Sequence, residues 1–135
     1  MVCPVYCLMP DHMHLLLMGV NADSNQQRGM AFLRMYLKTF LAPYHLQKQA
    51  YDHILKEAER DQNAFQSLVF YIAENPVRLG LTSEKKLYEY SGTLIPGYPR
   101  IQTALDGNWT QFWKIVEKLM RKSSHVLTDA ATRSW

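Results

Sequence analysis

Cysteine is nearly absent: Cys3 and Cys7 are the only two in 135 residues. They are too few and too close together for a disulfide framework, and their spacing without two further ligands argues against a zinc site. Both are expected as reduced strand or core residues. Long apolar runs are missing as well. Stretches such as Leu15 to Met18 fall far short of the roughly 20 residues that span a bilayer, and the N-terminus has no basic-then-apolar signal pattern. No membrane partner is expected, and the chain reads as cytoplasmic. No internal repeat or low-complexity segment interrupts it. A large charge of one sign is also lacking. The formal +3 and a pI near 8.9 are compatible with a polyanionic partner but too small to imply one. Placement says more: Glu57, Glu59 and Asp61 gather centrally, whereas Arg78, Lys85, Lys86, Lys114, Lys118, Arg121 and Lys122 lie in the second half, a hint of a basic face. What the chain does have is 47% hydrophobic and 12% aromatic residues, which excludes disorder throughout and fits a compact domain with a core.

Cys3 to Met9 and Met13 to Val20 are rich in β-branched and long apolar residues, and Pro10-Asp11 between them cannot comfortably continue a central strand. An antiparallel hairpin is predicted. Ser24 followed by Gln27 has the form of a capping box, and Met30, Leu33, Leu37, Phe40 and Leu41 recur at helical spacing until Pro43, which predicts a helix over 25–41. Ala50 to Leu55 reads as a short strand. Asp61 opens a second helix with the stripe Phe65, Leu68, Val69 and Ile72, and Pro76 is expected to end it near Asn75. The stretch from Gly80 through Gly97-Tyr98-Pro99 reads as turns. Trp109, Phe112, Trp113, Val116 and Met120 mark a last amphipathic helix with Lys114, Lys118 and Arg121 on its other side, and Ser123 to Trp135 reads as a loosely held tail. The expected class is α+β, an antiparallel sheet covered by helices.

His12 and His14 flank Met13 at the start of a strand, so the period-two alternation turns both imidazoles to one face. Such a pair can grip a divalent metal, although a bare His-x-His is more often a surface or hydrogen-bonding pair. Asp11 is placed to cap the turn or to orient His12 from behind. Tyr71 and Asn75 lie four apart on the second helix, which stacks a hydroxyl and an amide oxygen on one face. Taken singly, Tyr71 suits a core-edge tyrosine and Asn75 a helix-ending residue. Together, a strand-borne histidine pair and a helix-borne tyrosine and amide contain the parts needed to cut a phosphodiester. The metal would stabilise charge on the phosphate while the phenolic oxygen attacks phosphorus, leaving a covalent phosphotyrosine. His53 and Glu74 are weaker candidates, better read as packing or solvated groups. Arg34 and Lys38 share a helix face, as do Lys114, Lys118 and Arg121, and either row suits a phosphate backbone as well as plain solvation.

The segment Val5-Tyr6-Cys7-Leu8-Met9-Pro10-Asp11-His12-Met13-His14-Leu15-Leu16-Leu17 resembles the HUH segment (His, hydrophobic, His) of the REP-associated tyrosine transposases, within the single-tyrosine single-strand DNA transposases. Tyr71-Ile72-Ala73-Glu74-Asn75-Pro76-Val77-Arg78-Leu79-Gly80-Leu81 resembles that family's tyrosine helix. The likeness runs from about Val5 to Leu81, and Gly92 to Trp113 looks like tails seen in the family. It implies a ferredoxin-like sheet of the HUH nuclease type over 1–90, with a C-terminal loop, amphipathic helix and tail over 91–135. It implies His12, His14 and Asn75 as metal ligands and Tyr71 as the nucleophile; on that enzyme reading Arg34, Lys38, Arg78, Lys114, Lys118 and Arg121 are the candidate DNA contacts. The implied cofactor is Mg2+ or Mn2+; because hard cations prefer oxygen, the histidine pair also leaves Mn2+, or in vitro another transition ion, a serious candidate. The implied substrate is single-stranded DNA with hairpin features, cut and rejoined through a 5′-phosphotyrosine by a nucleoid-associated enzyme. The family normally carries a strand and a helix before its HUH strand, and here the motif begins almost at Met1. The expectation is an N-terminally shortened relative whose exposed sheet edge invites a homodimer, with a catalytically inactive DNA-binding protein as the alternative.

Overall fold

The computed structural model describes residues 1–48, 55, 61–105 and 108–132, with side chains described as far as Ser123. Among these residues the chain is a mixed α+β fold with a three-stranded antiparallel sheet and four helices. Strands β1 (Val2–Leu8) and β2 (Met13–Met18) form the expected hairpin, closed by the Met9 N–H donating to the His12 carbonyl at 2.8 Å across Pro10-Asp11. Strand β3 (Ser91–Leu94) pairs with the other side of β1, so the sheet order is β2-β1-β3. This strand falls where only turns were expected. The sheet therefore joins residues from both stretches, 1–90 and 91–135. The predicted strand Ala50 to Leu55, and His53 within it, lie outside the described residues apart from Leu55.

Central β1 is buried on both faces, which is why it reads as a nearly unbroken apolar run. Pro4 sits inside it, and proline cannot donate to a ladder. The register shifts at this point on both sides, between Val2 and Val5 toward β2 and between Cys3 and Tyr6 toward β3. The freed Pro4 carbonyl accepts from the buried Thr93 hydroxyl at 2.9 Å, and the Thr93 oxygen in turn accepts from the Thr103 N–H at 2.9 Å. On the opposite face the Tyr6 ring lies over Gly92. A Cβ there would stand 2.9 Å from the phenolic oxygen, so only glycine admits the ring.

Helix α1 (Gln26–Leu41) covers the predicted range, but its cap is Asn25 and not Ser24. Asn25 Oδ1 accepts from the Arg28 N–H at 2.9 Å, whereas Ser24 Oγ takes the N–H groups of Val20 and Asn21 and closes the preceding turn. Helix α2 (Gln62–Ala73) starts at the predicted cap Asp61, which accepts from the Asn63 N–H at 3.1 Å. It buries Phe65, Val69, Ile72 and Ala73 against the sheet. A one-turn helix α3 (Asn75–Arg78) follows, and a 3-10 turn occupies Lys85–Leu87. Helix α4 (Asn108–Thr132) runs on through most of the segment expected as a tail. Phe112, Ile115 and Val116 from α4 complete the core with Val5, Cys7 and Leu16 of the sheet. Met120, counted in the apolar stripe, is exposed, and Leu119 packs on the core instead. Cys3 and Cys7 are free and buried as expected. Burial pushes the Cys3 thiol up to about 12 and the Cys7 thiol upward as well, which keeps both in the unreactive protonated form. No helix among the described residues is long and apolar enough to cross a membrane.

Candidate active site

β2 carries the first half of the site. His14 pairs in register with Cys7 of the central strand, and His12 stands just before β2 with its ring turned to the same side. The two Nε2 atoms are 3.1 Å apart and the rings meet edge to face with centroids 4.8 Å apart. Asp11 Oδ1 lies 2.6 Å from His12 Nδ1. That contact is satisfied when Nδ1 carries the proton, which leaves the His12 Nε2 lone pair free to accept from His14 or to bind a metal. The hydrogen bond from His12 holds the Asp11 carboxyl below its usual range, and the attraction between the pair adds to the effect. Partial burial, then the charges of His12 and Arg78, hold His14 below the ordinary histidine range. A neutral imidazole is the ligand-competent form.

The pair fits a divalent ion. Two nitrogens at zinc-like bond lengths from one ion, with an angle of about 90–110° between the bonds, stand about 2.8–3.4 Å apart. The observed separation lies inside that interval. Among the described residues, no group of three His, Cys, Asp or Glu side chains completes such a site. Among the described residues a third protein ligand is therefore of another type, such as an amide oxygen.

The second half is built at the junction of α2 and α3. Pro76 was expected to end the helix near Asn75. Helix α2 does end there, at Ala73 with Glu74 as its cap, but a new turn starts at once, and Pro76 sits in the first turn of α3, where its missing N–H costs nothing. The extra turn carries Arg78 back over the tyrosine. The Arg78 Cζ lies 3.9 Å from the Tyr71 ring centroid, and Nη2 donates to the Tyr71 carbonyl at 2.8 Å and to Asn75 Oδ1 at 2.5 Å. Tyr71 itself is 58% exposed. Tyr71 and Asn75 are thus joined through Arg78 and not by direct stacking on one continuous helix face. Asn75 Nδ2 is buried and has no hydrogen-bond partner among the described residues, so the amide is oriented by its oxygen. Half-exposed Glu74 faces Arg78 and Lys85, each at 4.0 Å. Arg78 touches Tyr71 and Asn75, and its charge contributes to the lowering of His14.

No family model, curated protein or solved structure matches the chain. The site therefore rests on its own geometry.

The remaining basic residues singled out from the sequence lie on other elements. Arg34 and Lys38 border a cleft on α1 with Tyr44 and His45, where the Arg34 guanidinium hydrogen-bonds the Gln47 carbonyl. Lys114, Lys118 and Arg121 form a row on the outer side of α4 with Lys122 and Glu117, and Arg121 stands 3.9 Å from Glu117. Of the predicted DNA contacts only Arg78 touches Tyr71. Sequence reasoning ranked it with the other cations because its return over the ring depends on helix continuing past Pro76. Pro76 at the second position of a new turn is the signal that would have shown it.

Proposed function

We propose that the chain is a transposase-like, metal-dependent nuclease and strand transferase for single-stranded DNA, of the HUH single-tyrosine type. The observation that carries the reading is the Asp11–His12–His14 chain, together with the contacts that Arg78 makes with Tyr71 and Asn75. His12 and His14 would hold Mg2+ or Mn2+, and the Asn75 amide oxygen would serve as the third ligand using the lone pair that Arg78 leaves unused. The bound ion would supply charge stabilisation at the phosphate. Tyr71 Oη forms a bond to phosphorus, the bond from phosphorus to the 3′ oxygen breaks, and that oxygen leaves as a 3′-hydroxyl after taking a proton from solvent. The phenolic proton passes to solvent. The product is a 5′-phosphotyrosine that a free 3′-hydroxyl can later attack, rejoining strands without ATP. An antiparallel sheet with β1 in the centre and a helix carrying the tyrosine beside it is compatible with a ferredoxin-like HUH scaffold.

The test is to incubate the protein with labelled, hairpin-bearing single-stranded oligonucleotides and Mn2+ or Mg2+, and to map the adduct by denaturing gel and mass spectrometry. An adduct on Tyr71, lost in Tyr71→Phe while folding and DNA binding persist, is the expected result. Adduct formation that survives Tyr71→Phe would remove Tyr71 from the mechanism. The hold of Arg78 on Asn75 Oδ1 favours a second reading, a relative that binds structured single strands without cutting. Metal-independent binding with no cleavage would select it.

A further inference from the structure

Deepening the reading of Tyr71 as nucleophile, on which it rests, we infer that Arg78 is a catalytic residue that grips the non-bridging oxygens of the scissile phosphate. Three contacts fix its place. The guanidinium is stacked on the ring of the proposed nucleophile at 3.9 Å, tied to that residue's own carbonyl at 2.8 Å, and tied to Asn75 Oδ1 at 2.5 Å. A phosphate placed for attack by Tyr71 would lie beside the guanidinium stacked on its ring.

The chemistry of the group suits that position. Both hydrogen bonds are made by Nη2. Nη1 has only a long 4.0 Å ion pair to half-exposed Glu74, and Nε has no hydrogen bond among the described residues. Half the fork is thus anchored and half is left to donate, while the side chain remains 38% exposed to an incoming strand. A guanidinium stays charged at any working pH and matches phosphate oxygens with parallel N–H donors. It is also bound before substrate arrives, so little ordering remains when charge develops on the phosphoryl oxygens. Lys85 does not substitute for it. That ammonium is engaged elsewhere, 4.2 Å from the Phe70 ring and 4.0 Å from Glu74.

The experiment compares wild type, Arg78→Ala and Arg78→Lys for Tyr71 adduct formation on two hairpin oligonucleotides, one natural and one with a neutral methylphosphonate at the cleaved position. Wild type should cut the natural strand, and Arg78→Ala should be slower by about 100-fold or more, the loss seen when one preorganised oxyanion donor is removed. Added guanidinium ion should restore part of the Arg78→Ala rate, and the gap between wild type and Arg78→Ala should shrink severalfold on the methylphosphonate. A merely structural role would give the same gap on both strands and no rescue. Either that pattern or an Arg78→Ala rate within about threefold of wild type overturns the inference and leaves the nuclease reading intact. If wild type forms no adduct with Mn2+ or Mg2+, the nuclease reading falls and this role falls with it. Thermal melting of both variants separates a folding defect from a chemical one, and Arg78→Lys keeps the charge if Arg78→Ala does not fold.

Discussion

Asp11, His12 and His14 form a relay in which each group sets the state of the next. The carboxylate at 2.6 Å orients His12, and His12 presents its Nε2 to His14 at 3.1 Å. The alternation of a strand made this pair legible from three consecutive letters. The lowered pKa of His14 was not legible, because it depends on partial burial and on charges that include Arg78 of another element. A consequence can be measured without metal. The folded pKa of His14 is lowered, so between that value and its ordinary one of about 6.5 the unfolded chain binds more protons than the folded chain. Stability from this group is complete above that window and is lost as pH falls through it. In chelator-containing buffer, Tm should therefore decline from neutral pH toward pH 5 more steeply for the wild type than for His14→Gln. Parallel slopes would show that His14 titrates as it does in the unfolded chain. Asp11 acts in a different range. Its lowered pKa contributes stability above the ordinary carboxylate range that is lost only at more acidic pH.

At the scale of elements, capping chemistry separated two neighbouring residues that the sequence pattern could not. Ser24 and Gln27 have the letters of a capping box, yet Asn25 Oδ1 takes the Arg28 N–H and Ser24 closes the turn behind it. Both side chains are competent caps, so a shift of one position in the chain's entry decides between them. Asn25→Ala should weaken the start of α1 by about 1 kcal/mol, read as roughly fivefold faster hydrogen exchange in its first turns. Ser24→Ala should leave those amides unchanged and speed exchange at Val20 and Asn21. Equal acceleration of α1 by both substitutions would return the cap to Ser24. The α2–α3 junction teaches the same lesson. Proline was read as a stop, but its missing N–H is also tolerated in a first helical turn, and that second use carries Arg78 onto Tyr71. Strand β3 was hidden for another reason: four residues with a glycine among them carry too little local preference to announce a strand, and its pairing partner β1 lies at the other end of the chain.

For the molecule as a whole, chemically equal side chains differ by where they come to rest. Phe112 is fully buried among Val5, Val69 and Val116, whereas Phe40 is 82% exposed on α1, a helix with no fully buried residue. Phe112→Ala should lower unfolding free energy by about 3–5 kcal/mol. Phe40→Ala should change it by less than about 0.5 kcal/mol. Urea denaturation of both variants checks the pair, and losses of similar size would mean that the face of α1 is packed. The sequence by itself determined what depends on neighbours a few residues away: the β1–β2 hairpin, the extents of α1 and α2, the Asp61 cap, the apolar stripe of α2 and the shared face of His12 and His14. Only the tertiary structure decided that β1 is central, that β3 joins it through a Thr93–Pro4 bond spanning 89 residues, that α4 and not α1 fills the core, and that Arg78 is stacked on Tyr71 and tied to Asn75. Periodicity shows that a face is apolar, but the partner that buries it is chosen by contacts between segments far apart in the chain.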